Sequence, residues 1–432
     1  LAIGDENPEG QGVLYDPHDP DSLRRYKALF WDHQVEPRAD TPPGGRAVIR
    51  RVGEGPRHAY DVIVEDADGN AIWKRSQAKG DMGGMWAAFS PDGVQWTPYE
   101  NNPVSVCGND TTTSVHYDEY LKRYVAFGRF NGTAMGHGQA FGVGRNVARI
   151  ESEDFINWSE PEAAVCVGAP PDDPDLQLDC MAVAYYEGMY LGMMCVDLRP
   201  KILPLELACS RDTKRWDRVC PGQPFITHAP PGEWGSGQIW AAGALVPIGD
   251  RVYNIHDVNR SHEGLAKRIY NDIADMDPEE FMDLVQCRLG LSWWRRDGFV
   301  SLDADAKGGE LMTRPVRMLK PTPDAAIPRI FVNVDATDGE LVASLCDLRG
   351  VPQPGYEQSL PVRGDQVEAE LRWPNVDPAV TSQAEGDILE QHHPEYGKQR
   401  REERQGDTWP ALTIFRLRFQ LANAKLYSFW FA

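Results

Sequence analysis

The sequence predicts an all-β protein in which a β-propeller is followed by an antiparallel β-sandwich. A Ser-x-Asp-x-x-x-Trp segment recurs at intervals of about 60 residues, as expected of stacked or radial repeats. A phrase with a turn followed by Tyr among apolar residues recurs as well. After about residue 320, alternating strands continue without the Asp-Trp segment. The copies read SPDGVQWT from Ser90, SEDFINWS from Ser152 and SRDTKRWD from Ser210.

The repeated segment is typical of the turn that closes a propeller blade. Asp and Gly favour tight turns, and the aromatic residue that follows can fill the gap between neighbouring sheets. An altered fourth copy, RRDGFVSLD, begins at Arg295. We therefore interpret these aspartates as structural and not as catalytic groups.

The Tyr-containing phrase predicts a hairpin in each repeat unit. It reads DSLRRYKALF from Asp21, DEYLKRYVAFGR from Asp118, YEGMYLGMM from Tyr186 and GDRVYNIHDV from Gly249. Each unit then holds about four strands, which is one propeller blade. The four units lie near residues 15–97, 110–160, 177–219 and 236–303. An array of β-sandwiches with chance repeats is the alternative.

Two segments depart from this pattern. DMDPEEFMDLVQCRLG has Asp277 as a helix N-cap and Pro278 at the first helical position, which predicts a helical insertion at 266–288. The insertion is a surface packing element, a lid or a contact in a homo-oligomer. Strands such as RLRFQL alternate cleanly near the C-terminus. We therefore predict a propeller domain at 1–320 and a sandwich domain at 321–432, with a polar excursion at 375–410.

Composition limits the classes of partner. The net charge of −21 argues against nucleic acid, because phosphate binding needs basic surface, and it fits a neutral ligand such as a carbohydrate. No apolar run approaches the roughly 18 residues that span a membrane. The eight cysteines include no C-x-x-C pair, which excludes zinc ribbon and thioredoxin-like sites.

One pair of cysteines has a predictable position. If Glu187-Gly188 is a two-residue hairpin turn, Cys180 and Cys195 lie opposite each other at a hydrogen-bonded pair, with Cα atoms about 5.5 Å apart. A disulfide and two buried free thiols both fit this arrangement.

Three acids precede the innermost strands of successive units. Asp110 precedes TTTSVHY, Asp179 precedes CMAVAYY, and Glu233 precedes GQIWAAGALV. The innermost strands of a propeller begin at one mouth, where a ligand reaches several blades at once. Three converging carboxylates suit cleavage of a glycosidic bond, with one as acid, one as base or nucleophile, and one that tunes the acid.

Further polar and aromatic residues form a candidate substrate-binding set. Arginines can pair with acids, and tryptophans can stack on a sugar face. No spaced set of metal ligands accompanies the two histidines, so we expect no catalytic metal and no cofactor, while a structural Ca²⁺ stays open. The candidates are Arg129, Arg149, Trp234, Trp240, His256, Asp257 and His262.

The chain resembles the five-bladed β-propeller glycoside hydrolases of the family 32, 43, 62 and 68 type, especially bacterial family 32-like proteins with a C-terminal β-sandwich. The phrases that carry the resemblance are SEDFINWSEP, PFITHAPPGEWGSGQIW, LGLSWWRRDGFVSLDA with GGELMTRP, and KLYSFWFA. The resemblance implies five blades and a funnel-shaped site. It also implies that Asp179 tunes the acid and that Glu233 is the general acid.

The resemblance leaves the catalytic base open. In the enzymes of known activity the base lies in the first blade, so Asp16 is a candidate beside Asp110. This chain has Trp234-Gly235 where the relatives have Trp-Asp, which would mean loss of that Asp. A sialidase-like enzyme, which needs three arginines around a substrate carboxylate, and a non-catalytic carbohydrate-binding propeller are the alternatives.

Overall fold

A computed structural model provides the structure of the chain. Its described part consists of β-strands, turns and one 3-10 helix at Ser22–Arg24, so the predicted all-β class is confirmed. No helix in that part is long and apolar enough to cross a membrane. Asp110, His262, the excursion at 375–410 and, apart from Arg288, the predicted helical insertion lie outside the described residues. The described residues are 9–32, 46–52, 59–65, 68, 70–78, 84–105, 107, 109, 111–130, 145–167, 172–198, 201–202, 204–230, 233–237, 239–258, 288–319, 329–374 and 412–432.

The chain divides into two compact units. The first comprises Leu1–Val246 and Asn254–Ser292, and the second comprises Pro247–Tyr253 and Trp293–Ala432.

The first sheet of the first unit contains an insertion. Its strand order is β1-β2-β6-β7, and strands β3, β4 and β5, which lie between β2 and β6 in the chain, form a separate three-stranded sheet. The long first repeat unit therefore holds one four-stranded sheet and a three-stranded addition. These strands are β1 (Glu9–Tyr15), β2 (Tyr26–Asp32), β3 (Arg46–Val52), β4 (Ala59–Glu65), β5 (Ala71–Ala78), β6 (Gly84–Ser90) and β7 (Thr97–Pro98).

The next two sheets follow the predicted repeat units. The second has the order β11-β10-β9-β8, and the third has the order β12-β13-β15-β16 with β14 on β13. The strands are β8 (Ser114–Asp118), β9 (Arg123–Gly128), β10 (Val147–Ser152), β11 (Glu162–Val165), β12 (Gln177–Tyr186), β13 (Met189–Leu198), β14 (Lys201–Ile202), β15 (Glu206–Ser210) and β16 (Asp217–Arg218).

A fourth sheet has the order β17-β19-β18, with β20 also paired to β19. The described residues thus contain four propeller-like sheets, and the five blades that the resemblance implies are not confirmed. The strands are β17 (Ile239–Ala241), β18 (Val246–Ile248), β19 (Arg251–Val258) and β20 (Arg288–Arg295).

The first strands of these sheets lie next to one another, as the inner strands of a propeller do. A Cβ atom on Gly12 of β1 would lie 2.6 Å from the carbonyl oxygen of Thr113, just before β8. The hydroxyl of Ser114 in β8 accepts a hydrogen bond of 2.9 Å from the backbone N–H of Val183 in β12. A Cβ atom on Gly243, after β17, would lie 2.7 Å from the carbonyl oxygen of Val183.

The inner strands run in the same direction. The hydroxyl of Tyr124, which pairs with Tyr117 near the end of β8, donates to Asp16 after the end of β1 at 2.6 Å. In the same way, Tyr190 donates to Asp118 at the end of β8 at 2.7 Å. We call the end at which the inner strands begin the entry end and the opposite end the exit end.

The Ser-x-Asp-x-x-x-Trp segments form one recurring turn. In the first copy, Asp92 Oδ1 accepts from the backbone N–H groups of Val94 and Gln95, each at 2.8 Å. The indole N–H of Trp96 then donates to the carbonyl of Gly93 at 3.1 Å. The copies at Ser152 and Ser210 repeat these bonds, which confirms their structural role.

Aromatic residues of these turns fill the gaps between sheets, as predicted. Phe155 packs against Phe89 of the first sheet with ring centroids 5.9 Å apart. Trp216 of the third sheet packs edge-on against Phe127 of the second at 5.4 Å. The altered copy at Arg295 is different, because its left-handed residue is Asp297, with φ 53°, one position earlier than in the other copies.

The second unit contains a seven-stranded sheet with the order β21-β27-β24-β26-β22, in which β23 pairs with β26 and β25 with β24. Three of its strands precede residue 320, where the sequence placed the propeller. A facing sheet, which a sandwich requires, is not confirmed in the described residues. The strands are β21 (Leu302–Ala304), β22 (Gly309–Met312), β23 (Val316–Leu319), β24 (Ile330–Cys346), β25 (Val362–Glu370), β26 (Leu412–Ala422) and β27 (Ala424–Phe431).

Besides its pairing with β25, the long strand β24 has two further partners in succession. Its first part, from Ile330 to Asp335, pairs with β27, and its second part, from Glu340 to Cys346, pairs with β26. Gly339 lies between the two parts, where a Cβ atom would be 1.8 Å from the carbonyl oxygen of Ala422. Only glycine allows this close approach of backbones.

Candidate active site

Asp179 lies in a β-bulge at the start of β12. Leu178 pairs with Val196 and Cys180 pairs with Cys195, so Asp179 has no residue directly opposite it. A bulge breaks the alternation of a strand and aims the extra side chain in a new direction, which is why bulges occur next to active sites. Here the carboxylate lies on the same side as the neighbouring thiols, and ligand atoms of Asp179, Cys180 and Cys195 all lie within 4.8 Å of one another.

Groups from two other sheets bind the Asp179 carboxylate. Oδ1 accepts hydrogen bonds from Nη1 of Arg145 at 2.9 Å and from Nη1 of Arg129 at 3.3 Å. Oδ2 accepts from the indole N–H of Trp240 at 3.1 Å. Arg129 and Arg145 belong to the second sheet and Trp240 to β17 of the fourth, so three sheets meet at this carboxylate. We call these four residues the Asp179 cluster.

The Asp179 cluster is largely shielded from water. The Arg129 side chain is 6% exposed and that of Asp179 is 14% exposed, while Arg145 also lies 4.0 Å from the carboxylate of Asp197. Charge-assisted bonds of this kind are strong and directional. The arrangement suits a carboxylate that orients the groups around it.

The turn before β8 positions Arg129. The backbone N–H of Arg129 donates to Asn109 Oδ1 at 2.9 Å, and Asn109 Nδ2 donates to the Thr113 hydroxyl at 2.8 Å. Asn109 lies against Gly128, where a Cβ atom would come within 2.7 Å of Nδ2. Asn109 is therefore a positioning residue that the sequence did not reveal.

Arg145 is a member of the cluster that sequence reasoning missed. It lies just before β10, which is antiparallel to β9, so the start of β10 is at the entry end. The rule that selects Asp179 considers only acids before innermost strands. Extended to every charged residue before a strand that begins at this end, it would also select Arg145. A backbone hydrogen bond of 2.9 Å from Leu178 N–H to the Arg145 carbonyl fixes the two segments together.

Glu233 and Trp234 lie in an exposed turn before β17. The Glu233 N–H donates to the Pro230 carbonyl at 3.0 Å, and Ser236 N–H donates to the Glu233 carbonyl at 3.2 Å. Gly235 has φ 83°, a left-handed conformation that favours glycine. Trp234 belongs to a separate group of residues around Gly290. Among the described residues, no contact joins Glu233 to Asp179.

Trp234 and His256 meet at Gly290. A Cβ atom on Gly290 would lie 2.5 Å from His256 Nε2 and 3.1 Å from the Trp234 ring. His256 is 8% exposed, and burial lowers its pKa, so the neutral imidazole is favoured beside the indole. Trp240 and Asp257 pair across β17 and β19, which places Asp257, an exposed acid, next to the tryptophan that binds Asp179.

Two predicted residues contact other parts of the chain. Arg149 is 1% exposed, donates from Nε to the Thr213 hydroxyl at 3.0 Å and pairs with Glu151, so its guanidinium joins the second and third sheets. Asp16 accepts from Tyr124 and lies 3.6 Å from Lys27 at the exit end. Neither side chain is among the described contacts of Asp179.

Comparisons with known proteins found similarity only among solved structures. No protein family profile matches the chain, and no curated protein matches it. An N-acetylgalactosamine deacetylase from F. plautii, in complex with blood group B trisaccharide, is 13% identical with a TM-score of 0.36, over 68% of this chain and 91% of that chain.

Two glycoside hydrolases show similarity of the same order. A thermostable family-43 glycoside hydrolase is 10% identical with a TM-score of 0.31, over 59% of this chain and 84% of that chain. A Bombyx mori family GH32 β-fructofuranosidase is 12% identical with a TM-score of 0.33, over 79% of this chain and 73% of that chain. At these values we transfer no family, activity or residue role from them.

Proposed function

We propose that the chain is a glycoside hydrolase that cleaves a glycosidic bond in a plant, algal or microbial glycan at the entry end of its sheets. The observation that carries the proposal is the Asp179 carboxylate, which a bulge turns toward two arginines and a tryptophan from neighbouring sheets. Glycoside hydrolysis needs carboxylates with different tasks, and a fixed, charge-bound carboxylate fits the supporting task.

The other roles follow from chemistry and position. Glu233, exposed in the turn before β17, protonates the leaving oxygen. Asp179 supplies a carboxylate that orients the groups around it. Asp110, which precedes β8 in sequence, is the candidate base or nucleophile. Trp234, of which 41% is exposed, offers an aromatic face for a sugar ring.

Substitution of the acids tests the proposal against matched controls. Glu233→Gln should lower hydrolysis of a responsive glycan by a factor of about 100 or more, because acid–base groups contribute on this scale. Asp179→Asn should lower it by a factor of about 100 as well, because it removes a charge that orients the site. Asp118→Asn, a buried carboxylate at the exit end, and Glu119→Gln, an exposed one, should keep wild-type rates. Reducing-sugar release on a panel of polysaccharides is the measurement, and unchanged rates in both site variants would reject the proposal.

A non-catalytic carbohydrate-binding role is the second candidate, because Gly235 occupies the position of an acid in the resembled enzymes and has a glycine-type backbone conformation. Calorimetry on the same panel separates the two: binding with no product supports a binding protein, and any product rejects it.

The sialidase-like alternative finds less support. In the described residues, Arg129 and Arg145 bind Asp179, and Arg149 binds Thr213 and Glu151. Both arginines at Asp179 therefore already have a carboxylate partner within the chain.

A further inference from the structure

The thiols of Cys180 and Cys195 lie directly opposite each other beside the bulge. The hairpin turn at Glu187-Gly188 has positive φ at both residues, 45° and 79°, and sets the predicted register between β12 and β13. Each carries a thiol and not a disulfide in this structure, and each is 1% exposed. Their sulfur atoms lie within 4.8 Å of each other, so side-chain rotation alone can bring them together.

We propose that Cys180 and Cys195 are a disulfide site, and that the bond fixes the bulge that presents Asp179. Continuing the Leu178–Val196 register would place Asp179, and not Cys180, opposite Cys195. A covalent bond between Cys180 and Cys195 excludes that alternative register. The carboxylate then keeps its direction toward Arg129, Arg145 and Trp240.

A disulfide fits this pair better than a metal ion. Asp179, Cys180 and Cys195 together offer three ligand atoms, but the carboxylate already binds the guanidinium groups of Arg129 and Arg145. Two cations this close oppose the binding of a third.

The bond forms while the chain folds. Burial protects both thiols in the folded protein, whereas an unfolded chain exposes them. With glutathione disulfide as oxidant, the two thiols lose two protons and two electrons as the Sγ–Sγ bond forms. Glutathione disulfide accepts both and leaves as two molecules of glutathione.

Mass spectrometry after refolding tests the site. The whole chain is unfolded with reductant, refolded in a glutathione redox buffer or in reductant alone, unfolded again under acid quench and alkylated. A protease that cleaves before aspartate then releases residues 179–196, which contain these two cysteines and no other. Residues 92–109, which contain only the buried Cys107, are released as the control.

The expected result is a 179–196 fragment without alkyl groups and lighter than its dithiol form by two hydrogen atoms, after refolding in the redox buffer only. The 92–109 fragment should be alkylated in both samples. A 179–196 fragment that is fully alkylated after oxidative refolding overturns the proposal. The masses do not depend on glycan hydrolysis, so failure here and failure of the proposed function are distinguishable.

Unfolding by urea provides a second readout. The oxidised protein should unfold at a higher urea concentration than the reduced protein. Cys195→Ser should abolish this difference, while Cys107→Ser should keep it. An equal midpoint for oxidised and reduced wild type would show that the bond does not constrain the bulge.

Discussion

The two ends of the sheets in the first unit bind their carboxylates in different ways. At the exit end, Asp118 accepts from the backbone N–H groups of Tyr120 and Leu121 and from the Tyr190 hydroxyl, at 2.7 to 2.9 Å. At the entry end, side chains from neighbouring sheets donate hydrogen bonds of 2.9 to 3.3 Å to Asp179. Backbone donors close turns, whereas convergent side chains build a site that a ligand can share.

The two ends also differ in the charge of the groups that contact their carboxylates. Asp118 and Asp16 meet neutral tyrosine hydroxyls, and Asp16 has one lysine nearby. Asp179 meets two guanidinium groups, one of them almost fully buried. Removal of a carboxylate should therefore have different consequences at the two ends.

The largest effect is expected for Asp179→Ala. The substitution leaves two arginine cations facing each other with little solvent, and breaking a buried ion pair costs about 3–5 kcal/mol. Asp118→Ala leaves one hydroxyl and two backbone N–H groups without their acceptor. It should cost at least as much as the loss of one hydrogen bond to a charged group, about 1.5–3 kcal/mol. Urea unfolding followed by tryptophan fluorescence measures both. A larger loss for Asp118→Ala would contradict the distinction between the two ends.

Removal of one hydroxyl at the exit end should have a moderate effect. Tyr124→Phe and Tyr190→Phe each delete a hydrogen bond to a carboxylate, which should lower the free energy of unfolding by about 1.5–3 kcal/mol. Glycan hydrolysis should stay at the wild-type rate, because these bonds lie away from the entry end. A loss of activity without loss of stability in either variant would show that the exit end takes part in function.

The same tyrosines predict a response to alkaline pH. Burial, together with the hydrogen bond to Asp16 or Asp118, raises the pKa of Tyr124 and Tyr190. A raised pKa in the folded state means that the stabilisation is complete below the ordinary tyrosine pKa of about 10 and falls as the pH rises above it. Between about pH 9 and about pH 11, the free energy of unfolding should fall less in the variant with both tyrosines replaced by Phe than in wild type.

Much of this arrangement follows from local sequence signals. The Asp-Trp turns, the hairpin at Glu187-Gly188 and the pairing of Cys180 with Cys195 each depend on a few adjacent residues, and the structure has all three. The bulge at Asp179 was not predictable, because alternation of apolar residues along β12 does not reveal one extra residue. The insertion of β3–β5 between β2 and β6 depends on pairing between distant segments, which repeats alone do not specify.

The candidate site was predictable only in part, because contacts between distant segments leave no local sequence signal. Asp179 is predicted from its position before an inner strand, and Trp240 as a residue that can stack on a sugar face. The structure joins the two by a hydrogen bond. Arg149 is predicted to bind substrate, but the alternation of β10 directs it into the gap between sheets, where Thr213 binds it. Asn109 acts through the backbone of Arg129, and no pattern of residue types signals such a contact.

The smallest expected effect belongs to the aspartates of the repeated turns. Asp154 follows the end of β10, where Ser152 pairs with Tyr124, so it lies at the exit end. Burial raises its pKa, but hydrogen bonds from the N–H groups of Asn157 and Ile156 outweigh this and hold the pKa at about 2. Because the folded pKa is depressed, the stabilisation is present above the ordinary value and is lost as the pH falls from about 4 to about 2.

Substitution isolates this contribution. Asp154→Asn keeps an oxygen that accepts the same backbone N–H groups but does not titrate, so its stability should change less than that of wild type between pH 4 and pH 2. Because the carboxylate is largely exposed, we expect a difference of about 1 kcal/mol or less. Asp212→Asn, in the equivalent turn of the third sheet, should behave alike, since backbone hydrogen bonds from Arg215 and Lys214 also lower the pKa of Asp212. If either substitution instead abolished glycan hydrolysis at neutral pH, the repeated turn would carry function as well as structure, and the division of carboxylates between the two ends would fail.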